Sequence, residues 1–188
     1  MNAKKLSFLL LILVAVACTN RSTSSEQDEM RHWNNVLQQI NALLLENKAR
    51  QTLDLAKQTL PEILESAEKN GTTDTLIYHA RKIFNACGNN YINTKQYKDG
   101  IDYMDSIGNH PLIREHCPHE LLSFKAGLNQ LYGNNPEAVR LAEDYLQLPV
   151  CTSANDFIRQ AEIISGVYMY SGNNLPKAIQ ILEKAIDV

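Results

Sequence analysis

Glycine, proline and aromatic residues are scarce in this chain, and extended runs of one charge are absent. Its 188 residues include 8 glycines and 6 prolines, and aromatic side chains make up 7%. This composition disfavours collagen-like and low-complexity disordered chains. The formal net charge is −3 and no basic run occurs, so the sequence lacks the electrostatic footprint of a nucleic-acid-binding protein. We therefore expect no nucleic-acid partner.

Catalytic motifs are also missing. The chain has no phosphate-binding glycine loop, no serine-nucleophile signature and no kinase motif. Paired acids such as Glu62 with Glu65, or Glu143 with Asp144, are typical of solvated helix faces. The sequence thus predicts a protein without enzymatic activity and without a cofactor.

Long apolar runs are lacking as well. The run from Phe8 to Ala17 has 10 residues, whereas a membrane-spanning helix needs about 20. Lys4 and Lys5 precede this run, and small residues at its end precede Cys18, a pattern typical of an export signal. We interpret residues 1–18 as a signal peptide, and the polar residues 19–28 as a flexible tether.

The end of the signal offers two processing routes. The segment Ala15 to Cys18 resembles a bacterial lipobox, in which the cysteine thiol is diacylated and the cysteine becomes the new N-terminus. Ala15 stands where leucine is commonest, and Ala15 with Ala17 also satisfies the small-x-small rule of the ordinary signal peptidase. A cysteine directly after the small residues favours lipidation. The resemblance implies a protein held at the membrane surface through Cys18 and facing the periplasm.

Potential metal ligands are concentrated in one short segment, which holds His110, His116, Cys117 and His119. Zinc accepts nitrogen and sulfur ligands of these kinds. The spacing matches no standard zinc site, however, and Pro111 and Pro118 constrain the backbone between the candidates. We interpret the segment as a loop that carries histidines, and we predict no metal site.

Three cysteines follow the signal. Cys87 lies on an apolar helical stripe and is expected to be a small buried hydrophobe. Cys117 and Cys151 lie in predicted loops of an exported protein, where they could form a disulfide or stay as thiols. A cysteine nucleophile would need a histidine held against it, and the sequence shows no such pairing.

From residue 29 to 188, apolar residues recur at intervals of three and four, which predicts an all-α domain. Polar breaks at 46–48 and 93–95, and the Asn70–Gly71 helix end, separate the predicted helices. Pro61 predicts either a kink or a new segment that begins there. The next helix is expected to begin near residues 72–74, where threonine and aspartate side chains can cap it.

The stretch from Phe84 to Ile107 has the most specific spacing. Its two helical stripes comprise Phe84, Cys87, Gly88, Tyr91, Tyr97, Gly100, Met104 and Ile107. With Arg81 as the first position, this order resembles a tetratricopeptide repeat, a helix-turn-helix unit of about 34 residues. Clear repeats are predicted at about 81–114, 119–150 and 158–188. The resemblance implies a right-handed α-solenoid of antiparallel helix pairs, with about four pairs in residues 29–188.

The resemblance also implies a binding groove, because first helices line the concave face in this family. The register assigns to this groove Lys82, Asn85, Asn89, Asn93, Glu120, Ser123, Gln130, Arg159, Glu162, Met169 and Tyr170. Amide side chains can both donate to and accept from an extended peptide backbone. Asn85 stands where some family members place a lysine that clamps a ligand's terminal carboxylate, so that ligand is not predicted. The alternative is that these side chains simply face water.

A signal followed by degenerate repeats resembles the extracytoplasmic N-terminal region of certain bacterial sensor histidine kinases and related regulators. The leading hypothesis is therefore a sensory or scaffolding input module for signal transduction, whose groove binds a protein or peptide. The alternative is a self-contained lipoprotein adaptor in envelope assembly or nutrient uptake, and a third class is a metal- or thiol-dependent enzyme. Apolar Ile179, Leu182 and Ile186 on the last predicted helix are expected to need a neighbour, from further chain or from a partner.

We predict that the mature N-terminus is an acylated Cys18. Because acyl transfer requires the thiol, Cys18→Ser should yield an unacylated protein that leaves the membrane fraction, whereas Cys151→Ser should remain acylated. Mass spectrometry of the N-terminal peptide measures the modification. An unmodified residue at the mature N-terminus of the wild-type protein would defeat the lipidation hypothesis.

Overall fold

The computed structural model describes residues 27–149 and 154–186, and the regular secondary structure in these residues is entirely α-helical. The all-α prediction is therefore confirmed. None of the helices in this part of the chain combines the length and apolar character that a membrane crossing requires. The predicted signal peptide, Cys18 and Cys151 lie outside the described residues.

Nine helices occur in the described ranges. The first, α1, covers residues 27–45. The others are α2 (Ala49–Asn70), α3 (Asp74–Asn93), α4 (Tyr97–Ile107), α5 (Pro111–His116), α6 (Pro118–Tyr132), α7 (Asn135–Leu146), α8 (Ala154–Tyr170) and α9 (Leu175–Ile186).

The turns after α1, α2 and α3 lie at the predicted breaks 46–48, 70–71 and 93–95. Within residues 27–149 and 154–186, positive φ angles occur at Asn47 (55°), Gly71 (85°), Lys95 (59°), Gly133 (94°) and Asn173 (45°). At the start of α3, the Thr73 side chain accepts a hydrogen bond from the Leu76 amide at 3.2 Å. At the end of α6, Gly133 adopts the left-handed conformation and its amide donates to the Gln130 carbonyl at 3.0 Å.

Three details differ from expectation or resolve an alternative. Helix α1 already includes residues 27 and 28, the end of the predicted tether, and Asp28 there pairs with Arg31 one turn later at 3.2 Å. Pro61 lies inside the single helix α2, so no new element begins there. The predicted loop after His110 contains α5, which begins with Pro111 and is capped by His110, whose Nδ1 accepts from the Leu112 amide at 3.2 Å.

Most contacts join helices that are near one another along the chain. The most extensive contacts join α2 to α3, α6 to α7 and α8 to α9, followed by those of α6 with α4 and α8. Smaller contacts join α3 to α4 and α6, and α7 to α8. One hydrophobic cluster of buried residues runs from Trp33 in α1 to Leu128 in α6. A second runs from Ala126 in α6 to Ala185 in α9, so α6 belongs to both.

The crossing of α3 over α6 depends on a glycine. A Cβ atom at Gly88 would lie closer to the Phe124 ring than van der Waals contact allows. Beside it, the Phe84 and Phe124 rings meet edge to face with their centroids 6.1 Å apart. All three residues are buried. The two helices can therefore approach this closely only because position 88 lacks a side chain.

The last helix exposes apolar surface. Leu175, Ile179 and Leu182 on α9 are 57%, 45% and 37% exposed. Their neighbours Ala178 and Ile181 face the second hydrophobic cluster. The outer side of α9 thus carries the uncovered apolar side chains that the sequence indicates at Ile179 and Leu182.

Replacing Gly88 with alanine should destabilise the protein. Overpacking against Phe124 costs about 1–3 kcal/mol, which outweighs the roughly 0.5–1 kcal/mol that alanine gains over glycine within a helix. Gly166→Ala in α8 is the matched control, because the nearest atom to a Cβ placed at this position would be 3.9 Å away. We expect urea denaturation to show a lower midpoint for Gly88→Ala and an unchanged or higher one for Gly166→Ala. Equal effects of the two substitutions would contradict the close crossing.

Candidate functional site

A groove of about 410 Å³ lies between α1 and α3. One wall is apolar and comes from α1, which contributes Leu37, Ile40, Asn41 and Leu44. Leu37, Ile40 and Leu44 are spaced three and four residues apart, so they fall on one side of the helix. Ile40 is buried, whereas Leu44 remains 41% exposed to solvent. This wall therefore offers apolar surface that the protein itself does not cover.

The opposite wall is polar and comes from α3. It is lined by Lys82, Asn85, Ala86, Asn89, Asn90 and Asn93. From Lys82 to Asn93 the stripe rises about 16 Å along the helix axis. A fully extended peptide covers that length with about five residues. The wall thus has the dimensions of a short extended segment.

Arg159 of α8 reaches this groove from the other end of the chain. Its Nε and Nη2 atoms donate to Asn89 Oδ1 at 3.0 and 2.8 Å, across 70 positions of sequence. Asn89 Nδ2 in turn donates to the Asn85 carbonyl at 2.8 Å. The Asn89 side-chain oxygen on α3 thus accepts both hydrogen bonds from Arg159 of α8. These bonds bring two helices that are distant in sequence together at the groove.

The charge of the groove lining has one sign. Lys82 and Arg159 are cationic, and none of the residues that line the groove carries a carboxylate. The Lys82 ammonium lies 5.7 Å from the centre of the Tyr78 ring, a cation–π geometry that helps to orient it. The groove lining therefore contains cationic groups and no carboxylate, in a chain whose net charge is negative.

Five of the sequence-predicted groove residues meet in this groove. They are Lys82, Asn85, Asn89, Asn93 and Arg159. The register also predicts six others that the structure places elsewhere.

Two predicted groove residues are buried between helices, so their assignment to an open face is wrong. Glu120 is 2% exposed, and its Oε1 lies 3.2 Å from Arg81 Nε. Ser123 is fully buried, and its hydroxyl contacts the buried Gln160 side chain of α8. The physical reason is that α6 lies between α3 and α8, so both helices cover this side of it.

The remaining predicted residues do not line the groove. Gln130 is half-buried and faces Gly166 of α8. Glu162, Met169 and Tyr170 are exposed on α8, where Tyr170 reaches 73%. These three side chains face water, as the alternative interpretation of the register expects.

Sequence reasoning missed the whole α1 wall and Asn90. The apolar spacing of Leu37, Ile40 and Leu44 is the spacing of core residues, and it carries no sign that Leu44 stays exposed. Asn90 follows Asn89 and lies just off the stripe that the register selects. For the α3 wall, the signal in the sequence was the group of asparagines at 85, 89, 90 and 93. Asparagine is unfavourable in helix interiors, so four of them in one helix indicate a role other than helix stability.

The histidine-rich segment does not assemble a metal-binding cluster among the described residues. His110 caps α5, and its Nε2 lies 3.1 Å from Glu68 Oε1. His119 Nε2 lies 2.7 Å from the Pro149 carbonyl oxygen, while Cys117 is buried. These three side chains therefore have separate surroundings within the protein and do not converge on one point. The predicted alternative of a Cys117–Cys151 disulfide involves a residue outside the described ranges.

Cys87 is the buried hydrophobe that the sequence predicts. The residue is 0% exposed, and its Sγ lies 3.9 Å from the Tyr103 hydroxyl. Burial raises the pKa of the Cys87 thiol to about 12, because a thiolate is poorly solvated in an apolar interior. At neutral pH this cysteine is therefore a protonated thiol, which is a weak nucleophile.

Comparisons of this chain with protein-family models, with curated proteins and with solved structures found no match. The function proposed below therefore rests on the groove and not on a relative.

Proposed function

We propose that this chain is a non-catalytic module that binds an extended peptide or protein segment in the groove between α1 and α3. The proposal rests on one observation: the α1 wall of the groove is apolar, and the α3 wall that faces it is polar. Side chains of the ligand can pack against Leu37 and Leu44, while its backbone bonds to amides on α3. The cationic Arg159 adds a preference for neutral or acidic segments.

We further propose that the helices form a right-handed solenoid of the tetratricopeptide type. Support comes from the packing order, in which α3, α6 and α8 lie side by side and each is followed by a helix that packs against it. Nearest-neighbour stacking of this kind is typical of helical repeat arrays. The Arg159–Asn89 hydrogen bonds support a concave side on which first helices converge.

The proposed location is the bacterial cell envelope, with the module facing the periplasm on a lipid attached to Cys18. There it would act as the sensory or scaffolding input of a signalling protein. A self-contained lipoprotein adaptor in envelope assembly or nutrient uptake is the competing role. The gene sequence beyond Val188 separates the two: a membrane helix and kinase motifs support the sensor, and a stop codon removes its main support.

The groove can be tested with an array of immobilised, acetylated random decapeptides. We expect the wild-type protein to bind a subset that is rich in apolar and acidic residues. Leu44→Glu places a charge on the apolar wall and should weaken binding to that subset about tenfold or more. Binding is measured by titration of the selected peptides in solution, and circular dichroism checks that the variant is folded.

Leu45→Glu is the matched control, because Leu45 is the next residue of α1, is 85% exposed and does not line the groove. It should bind the same peptides with unchanged affinity. The proposal is wrong if the wild-type protein selects no peptide, or if both variants bind as the wild type does.

A further inference from the structure

Four pairs of consecutive helices are joined by turns of two to four residues. The pairs are α1–α2, α3–α4, α6–α7 and α8–α9. Because each turn reverses the chain, the end of the first helix and the start of the second lie at the same end of the pair. The turns are residues 46–48, 94–96, 133–134 and 171–174.

These turns lie next to one another along one edge of the protein. Residues of the first and second turns line a common cleft of about 470 Å³. Beside the second and third turns, a Cβ atom placed on Gly100, near the start of α4, would be 3.0 Å from Leu128, near the end of α6. At the third and fourth turns, Ser171 Oγ donates to Asn135 Oδ1 at 2.9 Å. We call this side of the molecule the turn edge.

Exposed apolar side chains are concentrated at the turn edge. Besides Leu44, which lines the groove, six large side chains that are 38–85% exposed lie within two positions of a turn: Leu45, Leu131, Tyr132, Met169, Tyr170 and Leu175. The connections at the other ends of these helices differ. The described residues within three positions of 71–73, 108–110 and 147–149 include no exposed leucine, isoleucine, methionine or tyrosine. Exposed apolar side chains therefore mark this edge and not helix ends in general.

Two cations lie at the same edge. Arg50 and Lys95 line the cleft between the first two turns, and both are exposed. Within residues 27–149 and 154–186, no ion pair joins either of them to a carboxylate. Lys48 lines the same cleft and is paired with Glu46 at 2.5 Å, and no carboxylate is part of the lining. The turn edge thus combines apolar and aromatic side chains with uncompensated positive charge.

This combination suits the interface between lipid and water. Tyrosine has an apolar ring and a polar hydroxyl, and it is favoured at the level of the lipid headgroups. Arginine and lysine are attracted to anionic headgroups. On a protein surface that faces only water, exposed apolar side chains are usually scattered singly. Here they are spread over the turns of three helix pairs, an arrangement that suits an extended, continuous surface.

We infer that the turn edge is a membrane-contact surface, which rests on the headgroup layer of an anionic lipid bilayer. The inference depends on the proposed location at a membrane and not on peptide binding in the groove. Its electrostatic part is reversible and screened by salt. The contact therefore orients a protein that acyl chains hold, and it does not replace them.

The test uses the exported Cys18→Ser protein after removal of its signal peptide, so that no acyl chain contributes to binding. Tyr170→Trp places a fluorescent side chain on the turn edge, whereas Trp33, the single native tryptophan, is buried. The protein is mixed with vesicles of phosphatidylethanolamine and phosphatidylglycerol that have brominated acyl chains. We expect the fluorescence to fall about twofold, because an indole at the interface meets the quenching bromine atoms.

Tyr78→Trp is the matched control for position. Tyr78 is 53% exposed, but it lies 15 residues before the end of α3, which places it about 22 Å from the turn edge. Its fluorescence should be unchanged by the same vesicles. Circular dichroism checks that both variants are folded.

The charge is tested in the Tyr170→Trp protein. Arg50→Glu reverses one cation of the turn edge and should raise the lipid concentration at half-maximal quenching about tenfold. A glutamate in the first turn of α2 is favourable for the helix, so the fold should be preserved. Lys184→Glu reverses the charge of an exposed residue on α9, away from the turns, and should leave that concentration unchanged.

Several results would overturn the inference. One is an unquenched Tyr170→Trp, which is also the result expected if a protein partner and not lipid covers this edge. Others are equal quenching of Tyr170→Trp and Tyr78→Trp, equal effects of Arg50→Glu and Lys184→Glu, or equal binding to vesicles of phosphatidylcholine alone. Peptide binding is measured without lipid, so a failure of the proposed groove function is distinguishable from a failure at the turn edge.

Discussion

The close approach of α3 and α6 at Gly88 is the contact on which the rest of the structure depends. The Phe124 ring fills the space that a side chain at position 88 would occupy. The two helices therefore lie side by side, and this contact fixes how α3 is rotated about its own axis. That rotation buries Phe84 on one side of α3 and turns the amide stripe of Asn85 and Asn89 away from α6, towards α1 and α8. Helix packing thus decides which face of α3 becomes a binding surface.

Buried polar groups pair with one another where α6 meets its neighbours. Glu120 is paired with Arg81 of α3, and the Ser123 hydroxyl contacts Gln160 of α8. These contacts help to hold α6 between α3 and α8. The Asn90 oxygen in the groove and Trp33 Nε1 in α1 are both buried without a hydrogen-bond partner, so an unpaired buried atom does not by itself mark the groove.

Local signals predicted the helices and turns well. The positive-φ residues Asn47, Gly71 and Lys95 lie at predicted breaks, because turn chemistry depends on few neighbours. The groove was predicted only on its α3 wall. Periodicity shows that Leu44 is apolar and that Glu120 is off the packing stripe, but exposure depends on how neighbouring helices are arranged. Hence the sequence could not reveal that Leu44 stays exposed or that α3 and α8 enclose α6.

The central claim is that α3 and α8, although distant in sequence, meet at one face, where Arg159 hydrogen-bonds to Asn89. Cysteines introduced as Asn89→Cys and Arg159→Cys replace side chains that are hydrogen-bonded at that face, and a short bis-maleimide should join them. Peptide mass mapping of the treated monomer is expected to show an intramolecular link between positions 89 and 159 in the native protein and none in urea. Absence of that link from the native protein would contradict the account.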